Sequence, residues 1–414
     1  MGDRNTSFFH KIASQRRRTN QIHGLQREDD FVATDSVEFK NIARDYFVNL
    51  FDSHGTGNLD HILSGVPCSI SESMNQCLLV PYTEEKIVEV LNRMGPTKAS
   101  RPDGFPAIFY QKYWSIVGKD TSKFCLEILN DGKSMEEINR TQIVLIPKIA
   151  NPTDLKNFRP ISLCTVLYKI IAKPMANRLQ KVLDGVLDGC IEDSQRTFVP
   201  GRLITECVTG IRGMMSKLGF ANSFIDFIIK CISSVQYSIL LNGEEGQKFN
   251  PSRGLRQGDP LSPYLFLFCG EGLSALIRLA RQDRKIFGAK VCRSTPPITY
   301  LMFADDCILF GEVTDKGIQV IKDILREYES CSGQCVNFKK STVFFSSNMA
   351  DYDKNLALQS LNVRCSTEAE RYLRLPNMVG RKKRMAFQSL KDRLKWKIDS
   401  WSTRHLSQGE EKYL

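Results

Sequence analysis

A chain of 414 residues with 42% hydrophobic and 25% charged side chains has the composition of a folded protein of two or three domains, without low-complexity tracts or internal repeats. A net charge of +11 and a pI near 9.0 favour a polyanionic partner, nucleic acid foremost, over an acidic or uncharged one. Thirteen cysteines, scattered singly, argue against a disulfide framework and for a reducing intracellular compartment, nuclear or cytoplasmic.

In chain order, a basic leader comes first, with Lys11, Arg16, Arg17, Arg18 and Arg27, and it begins without an apolar signal region. Apolar residues Val37, Phe39, Ile42, Tyr46, Phe47 and Leu50 recur at helical spacing and predict a helix to Phe51. Thr83 opens a second helix as its N-cap, with Glu84 and Glu85 at the positive end, and Gly95-Pro96 stops it after Met94. Lys98 to Gly104 reads as a basic turn. A long helix is predicted over Ala107 to Asn130, its aromatics Phe109, Tyr110, Tyr113 and Trp114 facing a core. Thr141 to Pro147 is a predicted strand, followed by Lys148, a polar loop, Asn157 to Leu163, and a helix from Val166 to Leu183 that contains Pro174.

Ser194 to Arg202 reads as a loop, Ile225 to Ile232 as a helix, Tyr237 to Leu241 as a strand, and Asn242-Gly243 as a hairpin turn. Pro251 to Pro263 holds two glycines, three prolines, Arg253 and Arg256, and it feeds the helix Tyr264 to Arg281. A glycine-rich basic loop entering a helix N-terminus is one pattern for a phosphate cradle. The most apolar run, Leu261 to Cys269, is broken by Ser262 and Pro263 and ends at Gly270-Glu271, so no membrane span is expected. Cys331 and Cys335 are the one close pair, and with no second Cys/His pair behind them zinc is not expected. Ile318 to Ser330 reads as an amphipathic helix, Val336 to Phe345 as turn and strand with Lys339 and Lys340, and the basic stretch from Arg381 onward as helix.

The stretch with the most chemical content is Tyr300-Leu-Met-Phe-Ala-Asp-Asp-Cys-Ile-Leu-Phe310. Two short apolar arms flank Ala-Asp-Asp and predict a β-hairpin with Asp305 and Asp306 at or beside its tip. Two readings of the carboxylates stand. Adjacent carboxylates are costly to bury without a cation between them, which points to a divalent metal site. Asp is also a common turn residue, which points to a polar turn.

The order of these segments resembles the reverse transcriptase region of non-LTR (LINE-type) retrotransposons, particularly those of plants. The resemblance rests on Gly2-Asp-Arg-Asn-Thr, Lys98 to Gly104, Ile146-Pro-Lys, Phe158-Arg-Pro-Ile-Ser, Asn177-Arg-Leu, Phe198-Val-Pro-Gly-Arg, Lys217-Leu-Gly-Phe, Arg253 to Pro263, Phe303-Ala-Asp-Asp, Asn337 to Ser341 and Tyr372-Leu-Arg-Leu-Pro. It implies an α+β right-hand polymerase: a basic, mainly helical extension over residues 1–90, fingers over 91–205, a palm with an antiparallel sheet over 206–345, and a helical thumb-like segment over 346–414. It further implies Mg²⁺ at Asp305 and Asp306, and a nucleotide and template pocket lined by Gln257 and Gly258 with Arg253 and Arg256. Lys148 and Arg159 would meet the incoming deoxynucleoside triphosphate, and Lys340 would lie near the departing pyrophosphate. The implied partners are an RNA template and a DNA primer.

The sequence departs from the family at one decisive place. The family carries an Asp-x-x-Lys-Ala-Tyr/Phe-Asp strand between the Val-Pro-Gly-Arg and Leu-Gly-Phe landmarks, and its first Asp bridges both metal ions. Here only Leu203 to Ser216 fill that interval, without an aspartate. The pattern implies an internal loss of a few dozen residues joined within Glu206 to Gly213. Neither Glu206, expected in a helix, nor Asp226, expected to face solvent, is placed to substitute. Ser100, Arg101, Arg196, Thr197 and Arg374 also replace residues typical of the family. The endonuclease and C-terminal Cys/His regions of the family are not within the sequence, which reads as an internal piece of a polyprotein. The expectation is a reverse transcriptase domain that is catalytically defective as written; the alternative is a non-catalytic nucleic-acid-binding remnant or a gene-model fragment.

Overall fold

The computed structural model describes residues 7–27, 29–52, 57–96, 105–187, 204–290, 295–303, 306–346, 348–366, 371–372, 375–376 and 387–402. They fall into two compact units, Met1–Cys335 and Val336–Leu414.

In the first unit, α1 (Ser7–Thr19) and the short hairpin β1 (Leu25–Gln26) and β2 (Val32–Ala33) lead to α2 (Ser36–Leu50). Asp35 caps α2, its carboxylate accepting from the backbone of Val37 at 2.9 Å and Glu38 at 3.2 Å. Three helices follow: α3 (Asp60–Ser64), α4 (Glu72–Leu79) and α5 (Glu84–Asn92). Thr83 holds the N-cap position of α5, but its side chain does not cap the helix. It hydrogen-bonds the Glu85 carboxylate instead and helps hold that group below its ordinary pKa.

The single helix expected over Ala107 to Asn130 is two, α6 (Ala107–Lys112) and α7 (Trp114–Asp131). Tyr113 breaks them, with φ −106° and ψ 22°. Of the aromatic stripe, Tyr110 is buried and Phe109 and Trp114 are partly buried against the core, while Tyr113 is about half exposed.

Next come β3 (Arg140–Pro147), β4 (Phe158–Cys164), α8 (Val166–Leu187), β5 (Ile204–Cys207), α9 (Val208–Leu218), α10 (Asn222–Ser233), β6 (Gln236–Leu241) and β7 (Glu244–Glu245). Helix α8 continues across Pro174. A four-stranded sheet has the order β4-β3-β6-β7, with β3 antiparallel to β4 and parallel to β6. The β6–β7 turn places Asn242 at φ 52° and Gly243 at φ 94°, the two left-handed positions of a type I′ hairpin. The sheet joins strands from both sides of residue 205, so the expected fingers and palm share it. One face is covered by α2. Phe39, Phe47 and Phe51 pack with Ile143, Leu145, Tyr237 and Ile239 in a second core, so residues 22–51 are built into the fold.

Strand β5 pairs with β8 (Arg253–Leu255), which places Glu206 on a strand where a helix was expected. Asp226, on α10, is about half exposed and ion-paired with Arg212 at 2.8 Å, as its helix face predicts. Helix α11 (Ser262–Gln282) crosses the main core, burying Leu265, Phe268, Leu273 and Leu276. By length and composition it is apolar enough to cross a membrane, which the shorter run Leu261 to Cys269 did not reveal; here most of it is buried in protein, as in a core helix. The hairpin strands β9 (Tyr300–Phe303) and β10 (Asp306–Leu309) precede α12 (Asp315–Ser332).

The second unit contains β11 (Thr342–Val343), α13 (Asp351–Leu361), β12 (Arg364–Cys365), β13 (Arg371–Tyr372), β14 (Leu375–Pro376) and α14 (Gln388–Ser402). Strand β11 runs parallel to β12, and β13 is antiparallel to β14. Trp396 on α14 is 71% exposed.

Candidate functional site

The hairpin forms as its apolar arms predict. Asp306 opens β10 opposite Phe303, and Cys307 lies opposite Met302. The register leaves Ala304 and Asp305 between the two strands; both lie outside the described residues. The Asp306 side chain is exposed. Among the described residues β9 and β10 form a sheet of two strands, with each other. Helix α11 supports β9 from below, where Ser274 Oγ reaches Met302 Sδ at 3.9 Å.

The glycine-rich loop is anchored by the arginines that the pattern cast as ligands. Arg253 caps α2: its Nε donates to Leu50 O at 3.0 Å and its backbone N to Phe51 O at 3.1 Å. A cation at a helix C-terminus also meets the negative end of the helix dipole. Arg256 is 3% exposed. Its guanidinium donates to Asn139 Oδ1 at 2.5 Å, Thr141 Oγ1 at 3.2 Å and Cys231 O at 3.3 Å. It also pairs with Asp259 Oδ2 at 2.5 Å and lies 4.0 Å from the Tyr168 ring centre. Tyr168 donates its hydroxyl to Asp259 Oδ2 at 2.7 Å. Burial works against the Arg256 charge, but the Asp259 carboxylate together with the Tyr168, Cys164 and Tyr237 side chains outweighs it and raises the arginine pKa. Burial, with the Asp259 carboxylate adding to it against the opposing Arg256 charge, drives the Tyr168 hydroxyl well above its ordinary value. Arg256 is therefore sealed inside, which corrects its expected place on the pocket wall.

Gln257 and Gly258 are what this anchoring presents. Gln257 O accepts from Ser162 N at 3.2 Å, so the loop lies along the outer edge of β4. Gly258 is exposed at φ 106°, a left-handed position that favours glycine. Arg159 is exposed on the same strand, about 10 Å along it from Ser162 by strand rise. Lys148 is exposed just past the end of β3, with its Nζ donating to Lys156 O at 2.6 Å. Lys148, Arg159, Gln257 and Gly258 thus gather around β3 and β4. Lys340 belongs to the second unit, in an exposed turn whose backbone N donates to Asn337 O at 3.0 Å. The predicted features at Lys98 to Gly104, Ser194 to Arg202, Arg374 and Arg381 to Arg384 fall outside the described residues. Asp259, Tyr168 and Asn139 were not singled out by sequence.

Two divalent ions held a few ångströms apart need several convergent carboxylates. Among the described residues there is no cluster of three or more His, Cys, Asp or Glu side chains able to hold a metal ion. Asp306 is exposed, and Asp305 lies outside the described residues.

Residues 146–373, more than half of the chain, match the model of the family described as reverse transcriptase (RNA-dependent DNA polymerase), and the chain belongs to that family. Membership implies a polymerase palm-like fold, and the mixed helix and sheet content agrees with it. The uncharacterized 149 kDa protein of transposon TX1 from Xenopus laevis is 25% identical over 376 residues, taking in 82% of this chain and 28% of the relative. The retrovirus-related Pol polyprotein from the type-2 retrotransposable element R2DM of Drosophila melanogaster is 27% identical over 240 residues, 51% of this chain and 22% of that protein. An uncharacterized mitochondrial protein of Arabidopsis thaliana is 51% identical over 67 residues, 16% of this chain and 55% of that protein. The chain spans about a quarter of the length of the two transposon relatives.

The alignment lengths carry a further fact. Against TX1, 376 positions take in 82% of 414 residues, about 339, which leaves about 37 positions with no residue of this chain opposite them. Against R2DM, 240 positions take in 51% of the chain, about 211 residues, a shortfall of about 29. Against the Arabidopsis protein, 67 positions take in 16% of the chain, about 66 residues, and the shortfall all but vanishes.

Proposed function

We propose that this chain is the reverse transcriptase portion of a LINE-type element that engages an RNA template and a DNA primer but, as written, does not extend the primer. The observation that carries the reading is the missing Asp-x-x-Lys-Ala-Tyr/Phe-Asp strand between Arg202 and Lys217. The pairing of β9 and β10 only with each other among the described residues supports it, since the absent strand is the one that would flank them. On this reading Asp305 and Asp306 are half of a Mg²⁺ centre whose facing carboxylate is gone. The chain's own residues retain binding roles: Lys148 and Arg159 face a triphosphate or backbone, and Gln257 and Gly258 line the template and nucleotide side of β4. Lys340 is the pyrophosphate-side lysine.

The test is primer extension by the purified chain on an RNA template with Mg²⁺ or Mn²⁺, run beside a salt titration of primer–template binding. The expected result is a salt-dependent complex without templated synthesis. Templated synthesis that disappears on Asp305→Ala would overturn the reading. Genomic DNA across the Glu206–Gly213 join separates an inherited loss from a splicing or gene-model loss. An intact Asp-x-x-Lys-Ala-Tyr/Phe-Asp reading frame there would assign the enzyme activity to the longer chain.

A further inference from the structure

We infer that the buried Arg256–Asp259 pair, with Tyr168 and Asn139, is a positioning clasp that sets Gln257 and Gly258 against β4 in the conformation that receives the RNA template. The inference rests on the proposed function for the identity of the ligand and on geometry for the clasp. Arg256 and Asp259 flank Gln257-Gly258 directly, and their side chains are 2% and 1% exposed. Neither can reach a phosphate without unfolding the loop.

Each flank is tied to a different part of the molecule. Arg256 reaches Asn139 and Thr141 at the start of β3 and Cys231 O on α10. Asp259 takes the Tyr168 hydroxyl from α8 and, through Oδ1, the backbone N of Leu261 at 2.8 Å. The dipeptide between them is left to do two things. Its Gln257 carbonyl closes on Ser162 N, and Gly258, at φ 106°, passes Ser162 O with 3.4 Å of room for a Cβ. A buried ion pair is poor evidence of added stability, because well-packed apolar residues often do as well. What apolar residues cannot supply is direction. Six directed contacts on one guanidinium and its partner carboxylate select a single backbone path for the loop. The clasp explains why an arginine and an aspartate sit inside a basic loop whose business is at the surface.

The test uses the full chain and a short RNA–DNA primer–template duplex with a template overhang. Tyr168→Phe keeps the ring under the guanidinium and deletes one hydrogen bond to Asp259. Arg256→Gln removes the charge. Binding is measured by anisotropy across a salt series, and amide exchange at Ser162 and Leu261 is measured without nucleic acid. For Tyr168→Phe the expected result is faster exchange at both amides and binding weaker by on the order of tenfold at temperatures where the protein is folded. The log–log salt slope stays at the wild-type value in both variants, because no phosphate contact is lost. A slope that drops by about one in Arg256→Gln would mean a direct phosphate contact and overturn the clasp. So would unchanged exchange in Tyr168→Phe, or a lowered melting temperature with unchanged affinity, the mark of a merely structural role. If Arg256→Gln fails to fold, Tyr168→Phe decides alone. If the wild-type chain binds no primer–template, the proposed function fails, and the exchange measurement still decides whether the clasp holds the loop.

Discussion

Arg178 shows at the scale of one residue how a charge can serve the fold. Its guanidinium projects from α8, stacks 3.5 Å from the Tyr82 ring centre, and donates to Leu78 O at 2.9 Å, Pro81 O at 3.2 Å and Val80 O. These are carbonyls at and just beyond the end of α4, where a helix leaves its last carbonyls without intrahelical partners. Arg178→Ala should lower unfolding stability by about 2–3 kcal/mol in denaturant titrations. Arg178→Lys should recover less than half, since a point charge cannot repeat the planar fork. A second residue reports on pH. Burial pushes the Cys125 thiol from 9.0 up to about 12. The folded chain then keeps a proton that the unfolded chain releases, so this contribution is whole below pH 9 and is lost as pH rises toward 12. Cys125→Ala should therefore show a shallower fall of stability with pH in that window, by about 1.4 kcal/mol per pH unit, measured as urea midpoints at several alkaline pH values. Sequence reading located the charged residues of the site and misjudged Arg256, because a charge pattern records what a side chain carries and not which way the backbone turns it.

Helices α2, α10 and α12 and strands β3, β6, β9 and β10 were legible within a few residues, because each carries its own period and its own stop signals. Elements made by a partner were not. Ile204–Cys207 is a strand through its pairing with β8, a contact that no local pattern announces. The break at Tyr113 was likewise hidden, since both halves have helical spacing. The join region supplies an element-scale test. Gly210 lies inside α9 and borders a small apolar cavity of about 40 Å³ between α3, α9, α11 and α12. A Cβ there would have as its nearest neighbour Cys331 O, at 4.0 Å. Gly210→Ala should raise stability by about 1 kcal/mol, through helix propensity and better filling of the cavity, read as an increased denaturant midpoint with an unchanged slope.

At the scale of the molecule, residues 22–51 behave as part of the first unit. They cover one face of the shared sheet, contribute Ile22, Leu25, Phe39, Phe47 and Phe51 to the second core, and are clasped by the Asn242 side chain on Ile22 N and Ile22 O, both at 2.9 Å. Removing residues 1–52 should expose Ile143, Leu145, Tyr237 and Ile239 and give insoluble protein, whereas a chain ending at Cys335 should stay soluble and unfold cooperatively. Soluble expression trials with calorimetry distinguish the two constructions. Membership of the reverse transcriptase family and the β9–β10 hairpin could both be read from residue order alone, because motifs that meet in space keep their order along the chain. Tertiary structure alone decided which of the basic residues face outward. Arg159 and Lys148 are exposed, while Arg253 is spent on a helix end and Arg256 is enclosed with Asp259. The reason is physical: long-range packing sets the burial of a side chain, and the partners that bury Arg256 come from β3, α8 and α10, far from it in sequence.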